Sequence, residues 1–409
     1  MPINRRNAAV SFIFITIMLD MLALGMIIPV LPKLIESYTG STAKAAEILG
    51  IFGTAWALMQ FLCSPVVGSL SDRFGRRPIV LMSNIGLGLD YILMAMAPSL
   101  TWLFIGRVIS GITAASISTS FAYVADVTPP EKRAGAFGMI GAAFGVGFIL
   151  GPALGGVLGD IAPRLPFWVA AGLSLTNALY GLFVLPESLP KDRRAAFSWR
   201  RANPVGSLML LKRSRSLMGF ALVNFIDQLA HMVYQSTFVL YAFYRYGWDT
   251  KTVGLTLTAV GLCSMVVQGG LVGRVVKALG EKSTLMIGLV FGVAGFILYG
   301  TATTGMWFWI AIPIGSLWGL ASPPLQGMMS QQVDGTEQGK LQGANTSLTG
   351  IAQLIGPGLF TTAFAAAIGD DSRLPIGISF LISAMLVAGA VIVALWTIRQ
   401  VQVEPAPAE

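Results

Sequence analysis

The sequence predicts an all-α membrane protein with twelve transmembrane helices in two pseudo-symmetric bundles of six. Three observations predict it. Of the 409 residues, 55% are hydrophobic and only 11% are charged, with a mean hydropathy of +0.73; a soluble chain carries about a quarter charged residues. The apolar residues gather into runs of about 18–24, enough to cross a hydrocarbon core of about 30 Å. A glycine pattern also occurs twice, about 205 residues apart: Gly68 and Gly75 frame one basic stretch, and Gly273 and Gly280 frame another. Gly151-Pro152 and Gly356-Pro357 keep the same offset. Duplicated halves in a membrane chain place a substrate path between them.

The runs in order are 8–31, 47–67, 79–98, 101–122, 134–158 and 166–185, then 216–243, 252–272, 284–303, 307–329, 341–368 and 374–397. The first is too long for a signal peptide, has Asp20 at its centre and lacks a small-residue cleavage site before Pro32, so it reads as a retained helix. Between the second and third lies the basic loop Gly68-Ser-Leu-Ser-Asp72-Arg73-Phe-Gly75-Arg76-Arg77. The third carries Asp90 and the fourth Arg107. The fifth holds Gly135, Gly138, Gly141 and Gly145, then Gly151-Pro152 with Gly155 and Gly156. Small residues at steps of three and four let helices approach closely, and the proline permits a bend.

After the sixth run, residues 186–214 are rich in basic side chains, among them Arg193, Arg194, Arg200 and Arg201. This reads as a linker between an N-terminal bundle, 1–185, and a C-terminal bundle, 215–409. Its charge suits topology and lipid headgroups better than a site. The seventh run carries Asn224, Asp227, Gln228, His231 and Gln235 on one helical face, flanked by Tyr234 and Tyr241. Such a face cannot favourably look at lipid, so it is expected to line a central cavity. The eleventh run adds Asn345, Thr349 and Gln353. Gln60 and Gln326 are single polar positions, suited either to helix packing or to the cavity.

The net charge of +8 does not point to nucleic acid, because the basic residues sit in alternate loops. With the N-terminus cytoplasmic, 20 of the 27 Lys and Arg fall on that side. The positive-inside rule then sets both termini in the cytoplasm. Cys63 and Cys263 both lie within runs and read as packing residues. No phosphate-binding loop appears, so an ion gradient is the expected energy source. One histidine, with no paired-histidine or Ser/His set, argues against a membrane enzyme, and no metal site is expected.

Charge at bilayer depth costs about 2.5–3.5 kcal/mol or more and needs a reason. Asp20, Asp90, Arg107 and Asp227 are the residues to explain. Asp90 and Arg107 flank the turn near Pro98 at similar distances, so a hairpin brings them to one depth and permits an ion pair. Asp20 lies at a similar depth. Two readings stand: a proton carrier whose carboxylates are tuned by burial and by the guanidinium, or a static pair that holds helices together. His231 is either a neutral hydrogen-bonded side chain or a titrating one.

These residues together resemble a major facilitator superfamily transporter. The stretch 68–78 is similar to that superfamily's loop motif between helices two and three. Arg107 with Gly111 resembles its helix-four motif linked to proton transfer. Residues 145–156 resemble the helix-five motif of proton-coupled exporters, which an importer of sugars or organic acids would not need. Asp20 to Pro32 is similar to the helix-one motif of drug exporters. Along nearly the whole chain the likeness is to TetA-type tetracycline/proton antiporters, carried by Asp90-Tyr91, Pro186-Glu187-Ser188, Tyr246-Gly-Trp248 and Pro324-Leu-Gln-Gly327.

The resemblance implies export of a drug–metal chelate cation in exchange for a proton. It implies a multi-pass protein of the inner (plasma) membrane with no cofactor, where a divalent metal enters only as part of the substrate. It further implies that Asp72, Arg73, Arg76, Asp126 and Arg133 form a cytoplasmic charge network that latches one state. Departures are visible. That family usually carries an aspartate in helix nine where Gly292 stands, and a histidine in helix eight where Ser264 stands. Asp227 and His231 fall outside its pattern. Either the C-terminal acid has moved to helix seven or the substrate differs.

Overall fold

The computed structural model describes residues 5–114, 117–128, 133–195, 206–334, 337–369 and 372–403. Among them the structure is helical throughout. The N-terminal half holds α1 (Arg5–Ile27), α2 (Leu31–Thr39), α3 (Thr42–Phe74), α4 (Arg76–Met96), α5 (Leu100–Thr113), α6 (Ile117–Val127), α7 (Arg133–Ile161) and α8 (Leu165–Val184). The C-terminal half holds α9 (Arg215–Ser236), α10 (Phe238–Tyr246), α11 (Thr250–Val266), α12 (Val272–Thr301), α13 (Gly305–Ser316), α14 (Ser322–Ser330), α15 (Gln338–Ala367) and α16 (Ile378–Val403).

Ten apolar helical runs among the described residues are long enough to cross a membrane. One of them, Thr250–Thr301, has 52 residues; at helical rise that is about 78 Å, so it holds two spans. The fourth predicted span covers α5 and the first part of α6; residues 115 and 116 lie outside the described residues. Large apolar side chains such as Phe183, Ile161 and Met82 stand exposed on the surface, as lipid-facing residues must.

Three predicted features differ in detail. The first span is broken after Ile27 and restarts at Leu31, because Pro29 and Pro32 cannot donate to the helical ladder. The seventh is broken at Thr237, whose φ and ψ of −124° and −30° end α9 before α10 begins. The two glycine-framed loops are mostly helix. In each the chain turns at one glycine with positive φ: Gly75 (φ 105°, ψ 158°) and Gly280 (φ 81°, ψ 166°). Only glycine adopts that geometry cheaply.

The chain divides into two compact units. One comprises Met1–Ser41, Ala55–Pro204 and Trp248–Thr258, and the other Thr42–Thr54, Val205–Gly247 and Ala259–Glu409. In the first, α1 packs on α7 and α8, and α4 on α8 and α5; in the second, α9 packs on α15 and α16, and α12 on α16 and α13. The first turns of α3 and α11 are exchanged: Thr54 Oγ1 donates to Leu354 O at 3.3 Å within the second unit, and Thr258 Oγ1 to Ile149 O at 3.1 Å within the first.

The repeat is legible in the backbone. Ala97 (φ −53°, ψ 119°) ends α4, and Ala302 (φ −55°, ψ 120°) ends α12 with the same geometry. Carbonyls at these ends are bound alike, Ala97 O by Arg164 and Tyr38, Ala302 O by Arg245 and Tyr246.

Candidate functional site: buried charges and their supports

Asp20 stands on α1 where α7 comes closest. A Cβ on Gly147 would lie 2.5 Å from Met18 O and 2.8 Å from Met21 Cβ; one on Gly151 would lie 2.7 Å from both Gly25 Cα and Leu22 O. Gly155 likewise abuts the Met26 backbone. Glycine at every fourth residue of α7 therefore admits the stretch of α1 that carries Asp20. Pro152 lies on that stretch, its ring beside Gly25. Gly145 meets nothing and is not part of the contact.

Asp90 is 2% exposed, and only the Ser110 hydroxyl is close enough to its carboxylate to offer a weak hydrogen bond. It sits on Gly106, where a Cβ would come 2.9 Å from its Oδ1. Arg107, next in sequence, is 9% exposed; its guanidinium lies 5.4 Å from the Trp56 ring centroid, and its Nε is unpartnered. The two are charged neighbours without forming the ion pair that the hairpin permits. Asp20 completes the group: its Oδ1 is enclosed and unpartnered, and Asp20, Asp90 and Arg107 all act on buried Tyr91. Enclosed polar atoms without partners cost about 1–3 kcal/mol each, more when charged, which makes this group a poor structural clamp.

At the motif between α3 and α4, Arg76 pairs with Asp72 at 2.6 Å and with Asp126 at 3.2 Å, and bonds Ser71 Oγ at 2.6 Å. Arg77 instead donates to Leu182 O at 2.7 Å. Arg73 is exposed and lies over the Phe74 ring at 5.1 Å. The side chain of Arg133 lies outside the described residues, as do Glu131 and Lys132. A Cβ on Gly68 would meet nothing, whereas one on Gly75 would strike Glu187.

Glu187 is the residue that sequence reasoning missed. Its Oε1 accepts from Arg76 N at 2.8 Å and Leu189 N at 3.0 Å, and its Oε2 lies 3.7 Å from Arg194. A carboxylate at the start of α4 suits the positive end of that helix. Ser188 adds a bond to Asp126 at 3.2 Å, and Ala195 N donates to Asp72 O at 3.1 Å. The start of the linker is thus bonded into this charge network. The available signal was Pro186-Glu187-Ser188, noted only as a landmark.

In the second unit the predicted polar face splits in two. Asn224, Gln326 and Asn345 form a closed ring of amides across α9, α14 and α15, with donor–acceptor distances of 3.4, 3.4 and 2.8 Å. Gln228 donates to Thr349 Oγ1 at 3.0 Å. Asp227, by contrast, sets an enclosed Oδ1 toward the indole N–H of Trp318. His231 and Gln235 are exposed on the same helix. The His231 ring lies 5.2 Å from Trp318 and 5.6 Å from Tyr234. Gln60, on α3, is half-buried.

Gly292 explains part of this arrangement. A Cβ there would lie 2.6–3.0 Å from the Trp318 indole. The indole fills the space a helix-nine side chain would occupy and reaches across to α9.

Repeated helical halves, charges at membrane depth and a charge network at the helix ends define a multi-pass membrane transporter. The chain belongs to the Major Facilitator Superfamily, whose model matches residues 13–357. It is 38% identical over 366 residues to the tetracycline resistance protein, class C, of Escherichia coli, covering 89% of this chain and 91% of that one. It is also 38% identical over 371 residues to the class G protein of Vibrio anguillarum, covering 89% and 92%. Among solved structures, the human organic anion transporter MFSD10 (TETRAN) matches with a TM-score of 0.70 at 25% identity, over 96% of this chain and all of that one. A bacterial homologue of the human lysosomal transporter Spinster shares the fold, with a TM-score of 0.76 at 15% identity over the whole of both chains.

Proposed function

We propose that the protein is a proton-coupled antiporter that exports tetracycline, as its metal chelate, by alternating access. The observation that carries this reading is the 38% identity to a tetracycline resistance protein along 89% of the chain. The buried charges supply the coupling. The charges of Asp20, Asp90 and Arg107 all reach Tyr91 without satisfying one another. Protonation removes the penalty of an enclosed carboxylate, so a proton is the natural occupant of this group. Asp227 and His231 form a second ionisable locus in the other unit.

In this reading the bundles 1–185 and 215–409 rock about the substrate while the linker 186–214 joins them. Both termini face the cytoplasm and the chain lies in the inner (plasma) membrane. Its partners are the drug, protons and the lipid bilayer; nucleic acid is not among them. It is no enzyme and holds no cofactor. A charge crossing 100 mV is worth about 2.3 kcal/mol, or about a fifty-fold gradient. Exchange of a monovalent cation for one proton is electroneutral and draws only on the pH gradient.

A second reading, export of a different drug class, is favoured by Gly292 and Ser264 standing where the resemblance expects ionisable side chains. The test is susceptibility profiling of cells expressing the protein, tetracycline before other drugs, followed by drug-induced proton flux in inverted vesicles. Tetracycline resistance with matching proton release is the expected result. Unaltered tetracycline susceptibility in cells that contain the protein would overturn it.

A further inference from the structure

The two halves carry one acid at the same place. The nine-residue helices α2 and α10 both end on a left-handed glycine, Gly40 (φ 64°, ψ 10°) and Gly247 (φ 64°, ψ 26°). Counting back from these caps, Asp20 and Asp227 stand at equal distances. Packing fixes the same register independently: Gly25 of α1 meets Gly151 of α7, and in the second unit Met232 of α9 meets Gly356 of α15. Those contacts correspond only if Asp20 corresponds to Asp227. Each aspartate also has an enclosed Oδ1.

Their surroundings are opposite in kind. Asp20 shares Tyr91 with Arg107, so its unit contains a counter-charge. At the repeat offset, the places of Asp90 and Arg107 are taken in the second unit by Gly295 and Ile312. No Lys or Arg among the described residues pairs with Asp227. Aromatic rings stand there instead. Trp318 lies along the face between Asp227 and His231, Phe296 packs edge-on to Trp318 at 4.9 Å, and Tyr234 lies 5.7 Å from Phe296. A carboxylate bordered by the Trp318 indole N–H, with the rings of His231, Phe296 and Tyr234 packed beyond it, attracts a soft, weakly hydrated cation. Here the protein itself supplies none.

We infer that Asp227, Trp318 and His231 form a subsite of the C-terminal unit for an organic cation, the charged group of the cargo. Asp227 neutralises the charge, and the indole and imidazole faces take up its apolar substituents. The inference rests on the export reading only for the identity of the cargo. It divides the labour between equivalent acids: the one with an arginine nearby takes the proton, and the one among aromatic rings takes the cargo.

The probe is radiolabelled tetraphenylphosphonium, a permanent organic cation, bound to the purified full-length protein in detergent. Wild type is expected to bind it saturably. Asp227→Asn, nearly isosteric, should weaken binding at least about tenfold, and Asp227→Glu should restore much of it. Trp318→Phe should bind better than Trp318→Ala. Absent binding by wild type, or full binding by an Asp227→Asn protein that elutes like wild type, overturns the subsite. The export reading is judged separately in cells: a protein that binds through Asp227 yet gives no tetracycline resistance keeps the subsite and loses that cargo.

Discussion

In the N-terminal unit the charges of Asp20, Asp90 and Arg107 all reach Tyr91, whereas the corresponding face of the C-terminal unit presents Asp227 to Trp318 beside His231. The same helices, caps and crossing contacts support both. Duplication has preserved the scaffold and allowed the chemistry to diverge. Positions that set the backbone, such as Gly75 and Gly280 or Ala97 and Ala302, kept their geometry. Positions that carry buried charge did not. Membrane depth accounts for the contrast. Any fold at that depth needs its backbone bonds satisfied, while each ionisable group there persists only for a function.

The comparison breaks most sharply on the acids. Asp20→Asn and Arg107→Ala should abolish uphill export driven by a pH gradient while the protein stays folded, as shown by retained counterflow in proteoliposomes. Concentrative transport by both variants would remove the coupling role of the N-terminal group.

The next effect concerns packing. Gly151→Ala drives a methyl onto backbone atoms of α1, 2.7 Å away, and Gly356→Ala drives one onto Met232 Cβ, which the α9 backbone holds in place. Each should cost about 1–3 kcal/mol, read as thermal unfolding in detergent. A loss at only one of the two would show that the contacts are not equivalent.

A smaller effect is expected at the charge network. Glu187→Gln weakens the cap on α4 and its pairing with Arg194, an effect of about 0.5–1 kcal/mol because the site is partly exposed. Gly280, the counterpart of Gly75, has no such carboxylate against it, so no equivalent of Glu187 should be found by scanning acids in the second unit.

The smallest effect lies at Asp249, which caps α11 by accepting from Thr252 N at 2.7 Å. Hydrogen bonds from Thr252 hold its carboxyl below the ordinary aspartate value of 3.8, with minor help from Lys251 and Lys33. A group held low stabilises the fold above its ordinary value and loses that contribution as pH falls through the lowered one. Asp249→Ala should therefore cost about 0.5 kcal/mol at neutral pH, the low end for an exposed cap, and progressively less below pH 3.8. A penalty that grows on acidification would contradict the cap.

Much of this was legible from residue order, because hydropathy runs and buried charges leave strong one-dimensional signals. Asp20, Asp90, Arg107 and Asp227 stand out as charges within apolar runs, and Gly68 and Gly75 as the frame of a basic stretch. Asn224, Asn345 and Gln326 read equally well as cavity residues, yet they satisfy one another in a ring. Glu187 is in sequence only part of a landmark at the linker, and its bond from Arg76 N depends on a helix start 111 residues away. Periodicity tells which face a residue shares and says nothing of what stands opposite.

The sequence by itself determined that this chain crosses the membrane many times, that its halves repeat, and which side chains carry charge at depth. Those follow from transfer free energies and chain geometry, which act residue by residue. Only the tertiary structure decided that Asp20 and Asp227 are equivalent, that Arg107 leaves Asp90 unpaired, and that Trp318 fills the space over Gly292. Such relations depend on packing between helices far apart in the chain, where a few ångströms separate an ion pair from two unpaired charges.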